Sequence, residues 1–494
     1  MSSNDPHREN EEDYMQADDA EEIFERDEDH HMSEGDEYDD ENMTIEDEIT
    51  FQNDSVAHFD SHSDSVFCVA QHPVHNNIVM TGSGDDTAYI FDSTPAPRPV
   101  LPSSFESNPQ PRERESLSPL AKLDGHTDTV NAVVFTEPVG EYAITAGLDG
   151  KLRAYRDTTP QKTGLAWEFF GEVQEVEEIN WMAVCPYQQG NEATQNVIAI
   201  GSNDGSAWVF RIDHTDPGQP ISIIQTFFSH TESCTAGAWT PDGNLLATVS
   251  EDSSFFVYDV FGAAAAAGIE YSPGTNAILG LNGEDQRFAV EGGLYTIAIS
   301  PSGELSASPR IAAGAPATKG KAKGAATQSG STAAGTIMAA LQTQTDNIES
   351  LSFSQAPFTL LAAGSVDGSI VMYDAAHRFA VRRHIRDAHE GSAVVKVEFL
   401  PSNKQLGATA PAANQSRSWM LTSVGLDGVV RRWDARGGTA AASQGLMQEW
   451  KGHMGATENE EGEQAGGIMG FVQGLDGKRI VTAGDDGISL VFEE

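Results

Sequence analysis

The sequence predicts an all-β protein, an eight-bladed β-propeller that follows a disordered acidic tail, and three observations predict this fold. First, one pattern of strands and turns recurs eight times along the chain. Second, no break in composition divides the stretch from about His62 to Phe492 into two cores. Third, a single repeat cannot bury both faces of its small sheet, so the repeats must stack, and a closed ring covers all of them.

Each repeat contains a polar turn, an alternating strand, a second strand that ends in a small residue, an Asp turn and a third strand that ends in an aromatic residue. The fullest copies are His126 to Asp157 and His389 to Asp434. The second copy contains Trp433-Asp434, the pair that names the WD repeat. Alignment of the copies predicts blades near residues 62–92, 126–157, 175–212, 230–260, 290–315, 344–374, 389–434 and 453–492.

The fifth copy is the weakest of the eight. Its first strand (GGLYTIAISPSGE) fits the pattern, but Ala, Gly, Lys and Ser then replace the expected Asp turn. This composition predicts a flexible insertion near residues 308–340. A Pro-rich stretch predicts a second insertion near residues 94–119, between the first two blades. Insertions in repeat proteins map to loops.

The chain begins with a segment that differs sharply from the repeats. Residues 1–49 are rich in Asp and Glu and poor in branched apolar residues, so we expect a disordered acidic tail, with the propeller in residues 50–494. Thr50 to Phe59 alternates like a strand. Because the blade that ends at Phe492 lacks one strand, and an unpaired edge is a liability, we predict that Thr50 to Phe59 pairs with that blade.

Negative charge is spread over both parts of the chain. Residues 1–54 hold 23 Asp or Glu and two Arg, a net charge of −21, and the remainder carries −25 of the total of −46. Such a surface repels the phosphates of nucleic acid and membranes and attracts basic proteins. We therefore expect a basic protein partner and no direct binding of nucleic acid or membrane. Solubility alone is the alternative explanation of the charge.

A buried hydrogen-bonded set is predicted inside most repeats. It joins a His at the blade entrance, a Ser or Thr on the second strand, an Asp in the following turn and an aromatic residue on the third strand. Two repeats contain all four members: His126, Thr145, Asp149 and Tyr155, and His389, Ser423, Asp427 and Trp433. Three other repeats, which begin at His62, His230 and His453, keep the first three members. The third and sixth repeats lack the set, because Glu175 and Gln344 replace the His, and we expect packing alone to hold them.

These His, Ser and Asp residues resemble a catalytic triad only superficially, because the set recurs at one place in the repeat, as scaffold does. The chain contains no Walker phosphate loop, no HExxH, no GxSxG and no paired-Cys metal spacing. We therefore expect no enzyme activity, no cofactor and no metal. Cys68, Cys185 and Cys234 have no CxxC spacing and predict reduced core thiols in a cytoplasmic protein, with a nuclear location also open.

The loops at one face of the ring are the predicted functional site. The second residue after the entrance His is acidic in five of seven repeats, and the residues before the turn Asp and at the start of the first strand lie on the same face. Acids with apolar and aromatic neighbours suit a Lys- and Arg-rich peptide. Generic acidity of surface turns is the alternative. The candidate partner-binding residues are Asp64, Phe67, Asp128, Glu177, Glu232, Glu251, Tyr295, Asp346, Glu349 and Asp485.

The acidic tail and four of the copies resemble the angio-associated migratory cell protein family, with the greatest likeness to its fungal members. The copies are GHTDTV with LDGKLRAYRD, TPDGNLLATVSEDSSFFVYDV, AAGSVDGSIVMYD and SVGLDGVVRRWDAR. The resemblance spans the whole ring. It implies a dedicated chaperone that holds the basic N-terminal segment of a newly made large-subunit ribosomal protein, the one beside the tRNA cleft, across an acidic propeller face. It further implies release of the client on the pre-60S particle. In the degraded fifth copy it implies a contact only at Tyr295.

Two other classes of function stay open at this point. A chaperone of histones or of other basic proteins would use the same electrostatics, although such families usually place a long helix before the first blade. A substrate receptor of a cullin ubiquitin ligase is suggested by the WDxR sequence Trp433-Asp434-Ala435-Arg436. In the simpler interpretation Trp433 completes the buried set and Arg436 begins a solvated loop. We expect a monomer in each case.

Overall fold

The structure is a computed structural model of the 494-residue chain. It describes residues 52–95, 114, 116–159, 166–216, 218–272, 276–282, 288, 292–301, 311–314, 337–355, 358–401, 417–436, 445–458, 464–474 and 476–494. All of them belong to one compact unit, Phe51–Glu494. The predicted tail at residues 1–49 lies outside the described residues, as do most of the two predicted insertions.

The first half of the chain forms the strands of four antiparallel sheets, called blades A to D. A short strand, β1 (Ala57–Phe59), precedes them. Blade A contains β2 (Val66–Gln71), β3 (Ile78–Ser83), β4 (Ala88–Asp92) and β5 (Pro119–Leu123). Blade B contains β6 (Val130–Phe135), β7 (Tyr142–Gly147), β8 (Lys151–Asp157) and β9 (Trp167–Gln174). Blade C contains β10 (Ile179–Val184), β11 (Val197–Ser202), β12 (Ala207–Ile212) and β13 (Ile221–Phe227). Blade D contains β14 (Cys234–Trp239), β15 (Leu245–Ser250), β16 (Phe255–Asp259) and β17 (Ala277–Leu281).

The second half forms a short two-stranded sheet and three further blades. The short sheet pairs β18 (Thr296–Ile299) with β19 (Ile311–Gly314). Blade E contains β20 (Ile348–Phe353), β21 (Leu360–Ser365), β22 (Ile370–Asp374) and β23 (Ala380–Ile385). Blade F contains β24 (Val394–Phe399), β25 (Met420–Gly425), β26 (Val429–Asp434) and β27 (Leu446–Lys451). A two-residue hairpin, β28 (Thr457–Glu458) with β29 (Gln464–Ala465), precedes blade G. Blade G contains β30 (Ile468–Val472), β31 (Arg479–Gly484), β32 (Ser489–Glu493) and β1.

Helices are few among the described residues. One α-helical turn, α1 (Ala263–Ala266), follows β16, and 3-10 turns lie at Glu192–Thr194 and Ala375–His377. In this part of the chain no helix has the length and apolar character needed to cross a membrane.

The first strands of the sheets pack around a common axis. Each one contacts the next in a closed cycle that runs β2, β6, β10, β14, β18, β20, β24, β30 and back to β2. The apolar cores lie between neighbouring blades: Ile144 of blade B, for example, packs in one buried cluster with Ile200 and Phe210 of blade C. This arrangement is a WD40 β-propeller, because each sheet buries its two faces only against its neighbours.

The prediction of eight equivalent blades was wrong. The described residues form seven four-stranded sheets, and at the position predicted for the fifth blade they form one two-stranded sheet, β18–β19, between β14 and β20. The physical reason is composition. After Ile299 the chain lacks the Asp turn and the alternating branched apolar residues from which the other blades build their third and fourth strands.

The ring closes through the N-terminal strand. Residues Ala57, His58 and Phe59 pair antiparallel with Val491, Leu490 and Ser489. The predicted pairing of this segment with the blade that ends at Phe492 is therefore confirmed for Ala57–Phe59, while Thr50 and Phe51 lie outside the described residues. The segment after the first insertion covers the outer side of β1, since the Leu117 amide donates to the carbonyl oxygen of His58 at 2.8 Å.

Candidate protein-binding face

The entrance loops and the Asp turns lie at the same end of every blade. In each of the seven blades, the residue before the turn Asp donates its backbone N–H to a carbonyl oxygen in the entrance loop. These bonds hold the two loops of each blade side by side, and we call the surface they form the loop face. The donor and acceptor pairs are Gly84 and Ser65, Leu148 and Thr129, Asn203 and Glu178, Glu251 and Ser233, Val366 and Asn347, Leu426 and Ala393, and Asp485 and Gly467.

Side chains at the start of the first strands join neighbouring blades just below the loop face. Asn131 Nδ2 of blade B donates to the Ile179 carbonyl oxygen of blade C at 2.6 Å. Asn180 Nδ2 of blade C donates to Ser233 Oγ of blade D at 2.8 Å. Thr235 Oγ1 of blade D donates to the Leu294 carbonyl oxygen, just before β18. These polar residues had the position of candidate face residues in the sequence, but the structure uses them to connect blades.

The candidate acids on the entrance loops point to solvent. Asp64, Asp128, Glu177, Glu232 and Asp346 are all exposed, and each is on a different blade. In three of them one carboxylate oxygen accepts the backbone N–H of the next residue at 2.7–2.8 Å, which fixes the direction of the side chain. The loop face therefore carries an exposed carboxylate on each of blades A to E. The short sheet lies between blades D and E.

Two aromatic candidates lie directly beside acidic candidates. A Cβ atom on Gly84 would be 3.1 Å from Oδ2 of Asp64 and 3.2 Å from Cε2 of Phe67, so these two side chains flank one glycine. A Cβ atom on Gly293 would likewise be 3.1 Å from the Tyr295 hydroxyl and 3.2 Å from the Glu251 carbonyl oxygen. Phe67 and Tyr295 are 37% and 38% exposed, so both rings present apolar surface to solvent beside these acids.

Glu349 and Asp346 form a pair of like charges on blade E. The protein around Glu349 withholds water from its carboxyl and thereby raises its pKa, and the negative charge of Asp346 raises it further. Both effects penalise the ionised carboxyl. A bound ammonium or guanidinium group would relieve this penalty, so the pair is chemically suited to a cationic ligand.

Asp485 differs from the other candidates. Its side chain is half-buried, and its carboxylate accepts the backbone N–H of Gly466 at the base of the β28–β29 hairpin. The structure therefore gives Asp485 a structural role on the loop face. This hairpin and the neighbouring Met454, which is 61% exposed, were not predicted from the sequence. The Glu- and Gly-containing sequence TENEEGEQ was a usable signal for a hairpin at this position.

Below the loop face, the buried sets link each turn Asp to its blade. His126 contacts Asp149 through Nδ1 at 3.0 Å and Thr145 through Nε2 at 2.8 Å. The Tyr155 hydroxyl donates to the Asp124 carbonyl oxygen at 2.8 Å, so this fourth member ties the third strand to the loop before His126. Corresponding His–Asp and His–hydroxyl contacts join His62 to Asp85 and Thr81, and His453 to Asp486 and Thr482.

The set in blade F is complete and includes a charge that the sequence pattern did not predict. His389 contacts Asp427 and Ser423 at 2.8 Å each, and the Trp433 indole donates to Ser423 at 2.8 Å. Arg431, only 3% exposed, donates to the Asp427 carboxylate and to Glu449. Burial raises the pKa of Asp427, but hydrogen bonds from His389 and Arg431 together lower it below its ordinary value.

Two blades replace members of the set. In blade D, His230 Nδ1 contacts Ser254 Oγ at 2.6 Å, while the nearest Asp252 oxygen is 3.8 Å away. In blade E, Gln344 occupies the His position and donates to the carbonyl oxygens of Ala363 and Ser369 at 3.2 and 3.0 Å. The prediction that packing alone holds the sixth repeat was therefore wrong, because an amide can supply the donor that a His would provide. Glu175, at the same position in blade C, is exposed.

Two other sequence predictions concern single residues. Cys68, Cys185 and Cys234 are free thiols, and burial raises the pKa of each to about 12, so they are poor nucleophiles. In the WDxR sequence, Arg436 Nη2 lies 2.6 Å from the Asp434 carboxylate. Among the described residues, no group of three or more His, Cys, Asp or Glu side chains is arranged to hold a metal ion.

Comparison with known proteins agrees with this architecture. The family model "WD domain, G-beta repeat" matches residues 53–92, 117–156 and 221–259. A solved structure of Sqt1 from Chaetomium thermophilum is 45% identical in sequence, and the alignment covers 90% of this chain and 100% of that chain with a TM-score of 0.72. The chain belongs to the Sqt1 family.

Other members of the family are more distant. The ribosome assembly protein SQT1 of Saccharomyces cerevisiae is 25% identical over 93% of this chain and 92% of its own length. The human angio-associated migratory cell protein is 23% identical over 89% of this chain and 80% of its own length. The Chaetomium Sqt1 structure contains that protein bound to the N-terminus of the ribosomal protein L10. Resemblance to the angio-associated migratory cell proteins and their fungal relatives is thus confirmed.

Proposed function

We propose that this protein is a non-catalytic ribosome-assembly chaperone that binds the basic N-terminal segment of the large-subunit ribosomal protein L10 on the loop face. In this role it shields the segment in the cytoplasm after synthesis and delivers the client to the pre-60S particle. A family member 45% identical to this chain binds the N-terminus of L10, which supports the choice of client.

The observation that carries the proposal is the arrangement of carboxylates on the loop face. Five exposed acids lie at equivalent places on five blades, and hydrogen bonds below them join blade B to blade C and blade C to blade D. Repeated carboxylates around a ring can contact successive Lys or Arg side chains of an extended peptide. Phe67 and Tyr295 provide exposed aromatic surface between them for apolar or guanidinium groups.

The geometry gives less support to a cullin-ligase receptor. Arg436 folds back onto Asp434 through three contacts of 2.6–3.0 Å, and a residue already paired in this way must break those contacts to bind an adaptor. Trp433 is 4% exposed and bound to Ser423, as scaffold requires.

Titration calorimetry with a synthetic N-terminal segment of L10 tests the proposal. The variant is Glu232→Lys combined with Glu251→Lys, two exposed acids at the loop face of blade D. Because each substitution replaces an attraction by a repulsion, we expect binding to weaken roughly tenfold or more, with the ring still folded.

A matched control changes the net charge by the same amount at the other end of the blades. Glu192 and Glu270 are exposed and lie in the connections β10–β11 and β16–β17, opposite the loop face. The control variant, Glu192→Lys with Glu270→Lys, should bind the segment nearly as well as the wild type. Equal binding by both double variants would contradict a site on the loop face, and no binding by the wild type would contradict the proposed client.

A further inference from the structure

Exposed and partly buried apolar side chains line the seam between the outer strands of blades B and C, and we call this seam the groove. On the blade C side, Ile223 is opposite Phe210 in the register of β12 and β13, so both side chains point to the same face of the sheet. Phe210 belongs to the buried cluster shared with blade B, which identifies that face as the one turned towards blade B. Ile223, farther out on the edge strand, is 47% exposed.

Blade B forms the other wall of the groove. Val173 of β9 and Ile221 of β13 both pack against the shared cluster, and a Cβ atom on Gly171 would be 3.2 Å from Pro220 Cγ. The two outer strands thus approach closely at Gly171. The absence of a side chain at Gly171 leaves the space that makes this approach possible.

At its upper end the groove contains the most exposed large apolar side chain of the described residues. Phe228 is 70% exposed, and its ring meets Trp208 edge-on at a centroid distance of 5.8 Å. Trp208 in turn packs against the buried cluster and is stacked on Phe210 at 6.3 Å. Trp208 and Phe228 therefore extend from the buried Phe210 towards the solvent, and Phe228, the outer ring, is mostly exposed.

The upper end of the groove is continuous with the loop face. Val176, which follows β9, belongs to the same buried cluster as Phe210, and the exposed acids Glu175, Glu177 and Glu178 surround it in sequence. On the other side, Phe228 leads directly into the loop that carries Glu232. The groove thus opens between two acidic loops that are part of the proposed client-binding surface. Negative charge at the mouth favours a cationic partner.

We propose that this groove, with Phe228 at its upper end, is a second docking surface for the same client, and that it receives a cationic segment with an apolar anchor from beyond the N-terminal segment. This inference rests on the proposed function. A peptide that crosses the loop face and leaves between Glu177 and Glu232 arrives at Phe228. An exposed aromatic ring beside carboxylates provides apolar contact and a cation–π surface for Lys or Arg.

The experiment compares two ligands against three proteins. The ligands are full-length L10 and its isolated N-terminal segment, and the proteins are the wild type, Phe228→Ser and Phe169→Ser. Phe169 is the matched control. It is 53% exposed on β9, the strand of blade B that lines the groove, but the Arg153 guanidinium carbon lies 4.5 Å from the centre of its ring. Phe169 is opposite Tyr155 in the register of β8 and β9, and Tyr155 packs in a cluster shared with blade A, so Phe169 faces blade A and not the groove.

We expect Phe228→Ser to weaken binding of full-length L10 by roughly five- to tenfold and to leave binding of the isolated segment unchanged. Phe169→Ser should change neither affinity. Ile223→Ser, lower in the groove, is a second variant and should weaken full-length binding in the same direction. Thermal unfolding checks that each variant is folded.

Two outcomes would overturn the inference about the groove, and a third would overturn the proposed function on which it rests. Unchanged full-length binding by both Phe228→Ser and Ile223→Ser removes the groove as a docking surface. An equal loss for the segment and the full-length client assigns Phe228 to the loop-face site itself. If the wild type binds neither ligand, the proposed function fails, and this result is distinct from a failure of the groove alone.

Discussion

Ser65 Oγ donates a hydrogen bond of 2.9 Å to the backbone carbonyl oxygen of Asp485, although 420 positions separate the two residues in the chain. The bond joins blade A to blade G on the loop face, at the place where the ring closes. A Cβ atom on Gly487 would also be 3.2 Å from the Asp64 carbonyl oxygen, so the two loops are in close contact. The carboxylate of Asp64 and the hairpin held by Asp485 therefore share one surface only because the ring is closed.

The buried set of blade F should contribute strongly to stability. Asp427→Ala removes the acceptor of His389 and of the buried Arg431, so we expect the free energy of unfolding to fall by about 3 kcal/mol. Asp204→Ala in blade C is the control, since Asp204 accepts the Ser206 amide where no entrance His is present. Its loss should be about 1 kcal/mol. Urea unfolding measures both, and equal losses would show that the His389 set adds nothing beyond the turn.

Client binding at the loop face should depend on salt. Exposed charges are screened as ionic strength rises, so the affinity of the wild type for the L10 segment should fall steeply between low and high salt. The Glu232→Lys, Glu251→Lys variant has fewer attractive charges and should show a shallower dependence. Calorimetry over a salt series gives both slopes, with Glu192→Lys, Glu270→Lys as the reference. Parallel slopes for all three proteins would argue that these acids do not contact the client.

The sequence was a good guide wherever one residue type recurs at one place in the repeat. The His126 and His389 sets could be located from spacing alone, because a buried imidazole needs partners and the repeat supplies them at fixed distances. The pairing of β1 followed from counting strands. Candidate acids such as Asp128 and Glu177 could be placed on one face because the repeat puts their loops at the same end of each blade.

What the sequence did not reveal depends on contacts between blades or on unusual residues. Arg431 pairs with Asp427, whereas Arg153, at the same strand position in blade B, pairs with Glu172, so the repeat position alone does not predict the partner. Asn131 and Asn180 resemble surface residues until the neighbouring blade is in place to accept their bonds. The fifth blade was overpredicted because one good strand, β18, suggested partners that its composition does not provide.

Closure of the ring should depend on Phe59. Its ring is fully buried and stacks on Phe91 at 4.2 Å between blades G and A. Phe59→Ala would leave a cavity at this junction, so we expect a loss of about 3–5 kcal/mol in the free energy of unfolding. Phe228→Ala, at an exposed ring, should cost less than about 1 kcal/mol. Chemical denaturation distinguishes the two, and a small loss at Phe59 would mean that β1 is dispensable for closure.

Stability should fall as the solution becomes acidic. Burial lowers the pKa of His62, His126 and His389 below the ordinary 6.5, and their Asp partners only partly offset this effect. The folded protein therefore keeps these rings neutral at a pH where the unfolded chain takes up protons. Because the unfolded state then binds more protons, the free energy of unfolding decreases as the pH falls through about 6.5 towards the lower folded-state values.

The Asp partners add a second decrease at lower pH. The pKa of Asp85, Asp149 and Asp427 is lowered in the folded protein, so their contribution is present above the ordinary value of 3.8 and is lost as the pH falls below it. The histidine window is the first of the two, because it begins at the higher pH.

His389→Gln tests the first window directly. The substitution introduces the side chain that blade E already uses at this position, Gln344, and removes one titrating group. Urea unfolding of the wild type and the variant between about pH 8 and pH 5 should give a shallower pH dependence for the variant. His377→Gln is the control, since the side chain of His377 is 79% exposed and belongs to none of the buried sets; it should keep the wild-type slope. If His389→Gln also kept that slope, the neutral buried ring would not be the source of the acid sensitivity.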